Sequence, residues 1–226
     1  MPVCAACLRQ PEPLDAEYFC TVCRTPFCNP YPLDAAGRCA LCRLGLRSFD
    51  AAYCYGAYEG ALRELIHLFK YAGMRPLAAP LGELLSAALP RQDRFDLVVP
   101  VPLHWRRRWS RGFNQSELLA RLTARRCGIA MRNVLRRTRA TGAQAGLSNS
   151  RRRRNVADAF RARESVAGRR VLLVDDVLTT GATANACAAA LKRAGARSVA
   201  LVALARVDRR LGAAPAARRS GIRGAS

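Results

Sequence analysis

Two adjacent carboxylates, Asp175 and Asp176, close an apolar run of Val171, Leu172, Leu173 and Val174, and are followed by Val177, Leu178, Thr179, Thr180, Gly181, Ala182 and Thr183. A continuous apolar run is the pattern of a strand buried in a parallel sheet. Ligands of open α/β sheets sit beyond the C-terminal ends of such strands. The turn at residues 179–183 leads into an Ala-rich helical segment, whose free N–H groups and dipole favour an anion. Gly181 lets the backbone close around a phosphate, and three threonine hydroxyls add donors. The carboxylates would repel that phosphate. They suit ribose hydroxyls, or a Mg²⁺ bridged by ligand oxygens. The chemistry implied is capture of a sugar carrying a terminal phosphate. A Walker A loop is excluded, because no Gly-Lys-Ser/Thr is present.

Thiols carry the second chemistry. Of ten cysteines, six form C-x-x-C pairs: Cys4 and Cys7, Cys20 and Cys23, Cys39 and Cys42. The N-terminus shows no basic-then-apolar signal pattern, so a cytoplasmic protein is expected, and there cysteines argue for metal rather than disulfides. Each pair can form a knuckle, and two knuckles complete a tetrahedral Cys₄ zinc site. Cys4, Cys7, Cys20 and Cys23 make one possible set; Cys20, Cys23, Cys39 and Cys42 make another, with Cys28 a candidate substitute or second-site ligand. The segment is poor in apolar periodicity and needs a metal to fold alone. Residues 1–46 are therefore expected to form a zinc ribbon, residues 47–207 the main domain, and residues 208–226 a basic disordered tail. Cys54, Cys127 and Cys187 lie among apolar or helical residues and read as packing thiols. His67 has no neighbouring ligand set and reads as structural.

The elements that must position these groups follow from patterning. Residues 49–58 form a strand or extended connection. Leu62, Leu65, Ile66 and Phe69 share one helical face, ending near Gly73, and a second helix runs from about residue 77 to 89 before Pro90. Leu97 to Val101 is an apolar strand whose exit is stiffened by Pro100 and Pro102. His104, Trp105, Arg106, Arg107, Arg108, Trp109 and Arg111 follow, and then a helix with Asn114 at its N-cap and Leu118, Leu119 and Leu122 as anchors. Residues 184–194 form the last helix, ended by Gly195, and residues 198–203 the last strand; a basic tail begins at Arg206. No apolar run is long enough to span a bilayer, so membrane insertion is not expected.

The stretch from Val171 to Thr183 resembles the phosphoribosyl pyrophosphate (PRPP) motif of type I phosphoribosyltransferases. That resemblance implies an α/β core with a parallel central sheet, preceded here by a small Cys₄ zinc ribbon. It implies a PRPP site made of Asp175, Asp176, Val177, Leu178, Thr179, Thr180, Gly181, Ala182 and Thr183, with the two acids as the catalytic pair. It also implies a pyrophosphate loop at Pro100, Val101, Pro102, Arg106 and Arg107. The polar, Arg-rich residues 134–160 stand where the superfamily carries a flap that closes over PRPP. The N-terminal Cys pairs, P-V-P-L, R-G-F-N-Q and V-D-D-V-x-T-T-G-A-T together resemble the ComF family, which includes GntX-like proteins. Gln144, Leu147, Arg151, Asn155 and Phe160 match that family's flap pattern.

A formal charge of +22, carried by arginines and only two lysines, Lys70 and Lys192, attracts polyanions. With the resemblance, it implies a PRPP-binding protein, with Mg²⁺ on the pyrophosphate, that serves DNA uptake in natural competence. Single-stranded DNA and a competence helicase are then the expected partners. Trp105, Trp109 and Phe113 could stack bases or pack in the core. The alternative is an active phosphoribosyl transferase unconnected to DNA, although no segment specifies an acceptor pocket. An open catalytic zinc site is disfavoured, since no spare His or carboxylate accompanies the thiols.

Overall fold

The computed structural model describes residues 3–103, 112–138 and 159–207. Its centre is a sheet of four parallel strands: β3 (Ala51–Ala57), β4 (Leu97–Pro100), β7 (Arg170–Leu178) and β8 (Ser198–Arg206), in the order β3-β8-β7-β4. The two longest strands, β7 and β8, are central. Their apolar runs are covered on both faces, as continuous rather than alternating hydrophobicity requires.

On one face, Leu172, Val174, Val202 and Leu204 pack with α3 (Gly60–Tyr71), α4 (Ala78–Ala87) and α5 (Gln115–Cys127). On the other, Val171, Leu173, Val199 and Leu201 pack with α6 (Ala182–Arg193) and with the N-terminal segment. Leu62, Leu65, Ile66 and Phe69 of α3 are all buried, as their spacing predicts. A fork of hydrogen bonds from Arg170 to Asp96 (2.7 and 3.1 Å) ties the bases of β4 and β7 together. These bonds hold the Asp96 carboxyl well below the usual carboxylate range.

The N-terminal segment comprises α1 (Ala5–Arg9), a two-stranded ribbon of β1 (Tyr18–Phe19) and β2 (Pro26–Phe27), and α2 (Ala40–Arg43). It is laid against the edge of the sheet. Ala52 of β3 donates to Cys23 O at 3.1 Å, and the Tyr55 hydroxyl donates to Pro11 O at 3.0 Å. Buried Cys20, Cys23, Phe27, Cys39 and Leu41 share one core cluster with Phe49 and Leu178.

Several boundaries differ from those the sequence suggests. The extended stretch after Phe49 is a full edge strand, paired with β8 along its length. β7 does not stop at Val174 but runs through both aspartates to Leu178, in register with Ala203, Ala205 and Arg206 of β8. β8 likewise continues to Arg206, which is therefore a strand residue and not the start of a tail. Pro100 lies within β4. Val101 N–H donates to Val174 O on the β7 side and Val98 N–H to Ala130 O on the other, so the N–H that Pro100 lacks belongs to the edge side. Asn114 occupies the N-cap position of α5 but makes no capping bond; its amide donates instead to Val101 O at 3.2 Å. A short antiparallel ribbon, β5 (Leu135–Arg137) with β6 (Phe160–Ala162), flanks the expected flap. Cys187 is buried, Cys54 is half-buried and Cys127 is exposed, so the packing reading fails for Cys127, which ends its helix at the surface.

Candidate functional site

At the C-terminal end of β7, each aspartate has its own partner. Asp175 Oδ1 accepts from the Ser116 hydroxyl of α5 at 3.1 Å and from the Asp176 N–H at 2.9 Å. Asp176 pairs with Lys70 of α3, Nζ to Oδ1 at 2.7 Å, both side chains being 14% exposed. Burial, and then the neighbouring Asp176 charge, push the Asp175 carboxyl up to about 7, against the opposing pull of Lys70, the Asp176 N–H and Ser116. The two adjacent acids thus have unlike partners, a serine hydroxyl for Asp175 and a lysine for Asp176.

The turn that follows is open to solvent at Thr179 and Thr180. Gly181 is buried, with φ +75°, and is the N-cap of α6. A Cβ there would lie 2.9 Å from Leu41 Cδ1 of the N-terminal segment. Gly181→Ala is therefore strained twice, by the left-handed backbone and by the collision. An expected stability loss of about 1–2 kcal/mol is measurable by urea unfolding. The turn has a further tie that sequence patterning missed. Arg206 Nη1 donates to Thr179 O at 3.1 Å, while its guanidinium lies 4.5 Å from the centre of the Phe27 ring.

The expected pyrophosphate loop is described through Pro102 and again from Gly112. Arg106, Arg107, Trp105 and Trp109 lie outside the described residues, as do the flap residues Gln144, Leu147, Arg151 and Asn155. Phe113, weighed above as a base-stacking residue, is 8% exposed and packs on Phe69, with centroids 5.5 Å apart. Its place is the core. His67 is exposed and stacks on Tyr71 at 4.6 Å. A cleft of about 340 Å³ bordered by Asp96, Arg132, Glu164 and Arg169 opens at the opposite end of the strands, away from the acidic pair.

Of the two cysteine sets, Cys20, Cys23, Cys39 and Cys42 come together, with all four Sγ atoms within 4.8 Å of one another. Cys23 and Cys39 Sγ are 3.7 Å apart. Thiolates on a tetrahedral zinc at 2.3 Å would be separated by about 3.8 Å, so the cluster fits such an ion. Cys39 N–H donates to Cys20 Sγ at 3.3 Å, and the Thr25 hydroxyl lies 3.0 Å from Cys23 Sγ, an outer shell that orients the thiols. The Cys39 thiol is held down to about 5, first by the Cys23 thiol and then by the Cys42 N–H and further thiol donors, while burial opposes. Cys4 and Cys7 are exposed at the start of α1, 3.3 Å from each other and outside this cluster.

A model of the phosphoribosyl transferase domain matches residues 115–217. The DNA utilization protein YhgH of Salmonella typhi is 40% identical over 159 residues, covering 66% of this chain and 69% of that protein. Competence protein F of Haemophilus influenzae is 34% identical over 169 residues, covering 70% and 74%. The chain belongs to the ComF family. Within this ComF chain, β7, its acidic pair and α6 all fall inside the transferase match. Among solved structures, the glutamine PRPP amidotransferase of B. subtilis is 26% identical with a TM-score of 0.39; the overlap covers 55% of this chain and 25% of that one. The ComF protein thus spans about a quarter of that enzyme's length. Its fold is carried by the four parallel strands and the transferase family model. Among the described residues, no helix is long and apolar enough to cross a membrane.

Lys70, Ser116 and Arg206 are the site residues that sequence reasoning missed. Lys70 sits beside the apolar stripe of α3 and carries one signal, being a lysine in a chain whose other cations are nearly all arginine. Ser116 directly follows the quoted R-G-F-N-Q turn, and Arg206 ends an apolar run; neither type nor spacing sets them apart.

Proposed function

We propose that this ComF-family chain binds PRPP, with the 5-phosphate on residues 179–183 and the ribose hydroxyls on Asp175 and Asp176. In this reading it serves the handling of incoming single-stranded DNA in the cytoplasm, beside a helicase partner, during natural competence. One observation carries the PRPP reading. The paired carboxylates stand at the C-terminal end of a buried parallel strand, directly before an open threonine turn and a buried left-handed glycine. Mg²⁺ would travel on the pyrophosphate, with arginines 106 and 107 as its counter-charge, and the flap would exclude water. Residues 1–46 are the zinc-bearing part, residues 47–207 the PRPP-binding part, and residues 208–226 a basic tail. Relatives named for DNA utilization and competence, together with the charge of +22, support the DNA role.

Calorimetric titration with PRPP and Mg²⁺ tests the first part. Saturable binding that Asp175→Ala with Asp176→Ala abolishes is the expected result; no binding by the unaltered chain overturns it. Pyrophosphate release, assayed with a panel of bases, amines and oligonucleotides, separates binding from turnover. For single-stranded DNA, affinity should fall on the order of a hundredfold between 50 and 200 mM salt, as counterion release requires. An absent or salt-independent interaction sinks the DNA role and leaves the PRPP reading standing.

A further inference from the structure

The end of α3 touches both halves of the proposed site. Lys70 reaches Asp176 at 2.7 Å. One residue earlier, Phe69 is fully buried against Phe113. Five residues later, Arg75 Nη2 donates to Gly112 O at 3.1 Å, and its guanidinium lies 5.3 Å from the Phe113 ring centre. Gly112 and Phe113 directly follow the arginine-bearing residues 104–111 in sequence. Asn114 then donates to Val101 O, joining the start of α5 to the end of β4. A single short stretch, residues 69–75, therefore braces the acidic pair and Gly112–Phe113 against each other.

Among the described residues, the groups facing the acidic pair are Lys70 from α3, Ser116 from α5 and the Cys187 thiol from α6. Of these, Lys70 alone brings a positive charge. A pair this enclosed is held in one geometry, because an aspartate that swung away would leave a cation stranded in a poorly hydrated place. A lysine suits the task as a compact point charge that makes one short contact.

We propose that Lys70 is a positioning residue for the ribose-binding carboxylates, and that residues 69–75 set the spacing between them and Gly112–Phe113. The proposal rests on the PRPP reading and gives that site a component outside its motifs. Lys70 acts through Asp176. Replacing it removes the aim of the carboxylate while leaving the threonine turn intact.

The test is a double-mutant cycle read by PRPP affinity and by thermal unfolding, on the full chain. Lys70→Met is expected to weaken PRPP binding about tenfold or more, and Lys70→Arg to restore much of it. Lys70→Met with Asp176→Asn should unfold at a higher temperature than Lys70→Met alone, since no stranded charge remains. In that double variant, the affinity loss should be less than the product of the two single losses. Arg75→Ala should weaken PRPP binding while leaving the pairing of Lys70 with Asp176 intact in the cycle. If the unaltered chain binds PRPP and folded Lys70→Met binds it equally well, the brace is overturned and the PRPP reading survives. Strictly multiplicative losses would also overturn it. If the unaltered chain binds no PRPP, the site reading fails and this proposal falls with it.

Discussion

Cys39→Ser is expected to release the metal from the four-cysteine cluster and to lower the unfolding temperature by about 10 °C, the scale of losing a structural ion. The size of the effect follows from where the cluster sits. Cys20, Cys23 and Cys39 are buried in the core that also holds Phe49, Leu173 and Leu178, so the ribbon is no detachable appendage. Ala52 of the edge strand is hydrogen-bonded to Cys23 O, and Leu41 lies against Gly181. Loosening the cluster removes Leu41 from the back of the proposed phosphate turn, so PRPP affinity should fall with the metal. Elemental analysis should give one zinc per chain. Cys4→Ser with Cys7→Ser should keep that zinc, because those thiols are exposed and stand apart. Loss of zinc from the second variant and its retention in the first would assign the wrong four ligands.

Asp175→Asn is expected to make the protein more stable above neutral pH and poorer at binding. The Asp175 carboxyl, near 4 in an unfolded chain, is raised to about 7 in the folded one. Between those values the folded state holds more protons than the unfolded state, so stability falls as pH rises through the window and levels off above it. An asparagine does not titrate. Relative to the natural chain, the variant should therefore gain as pH rises from 5 to 8, by about 1–3 kcal/mol at pH 8. Urea unfolding at the two pH values measures it. The same change removes a charged acceptor for a ribose hydroxyl and should cost PRPP affinity about tenfold to a hundredfold. A variant less stable than the natural chain at pH 8 would show that Ser116 and the Asp176 N–H outweigh the burial of the charge. The expected opposition marks the carboxylate as one held in place at a cost to the fold.

The central strand, its acidic end, the threonine turn and the following helix were legible because each has a local signature: unbroken apolarity, adjacent carboxylates, a glycine at the turn, an alanine run. Helix α3 was legible for the same reason, and its apolar face is buried as its spacing implies. What could not be read was whatever depends on tertiary meeting. The choice between Cys4 with Cys7 and Cys39 with Cys42 is a matter of which knuckles the chain brings together, and spacing is identical in all three pairs. Lys70 and Ser116 are ordinary helix residues until α3 and α5 are laid across the end of β7. Strand ends were misjudged where polar residues are absorbed by pairing. The apolar run ends at Val174 in sequence, yet Asp175 pairs with Ala203 and Val177 with Ala205, so the strand continues through the acids. Asn114 is the N-cap that its place in the sequence predicts, but it makes no capping bond because a buried carbonyl, Val101 O, takes its amide.

Arg206 closes the last strand with its guanidinium on the Thr179 carbonyl, and Val207 N–H still pairs with Leu178 O at 2.9 Å. The chain therefore departs from the sheet at the rim of the threonine turn. Residues 208–226 carry Arg209, Arg210, Arg218, Arg219 and Arg223. In the proposed reading, a polyanion bound by those arginines would be joined through the chain to the threonine turn. Its encounter with the turn would then be an intramolecular event, set by the length of chain between them rather than by bulk concentration.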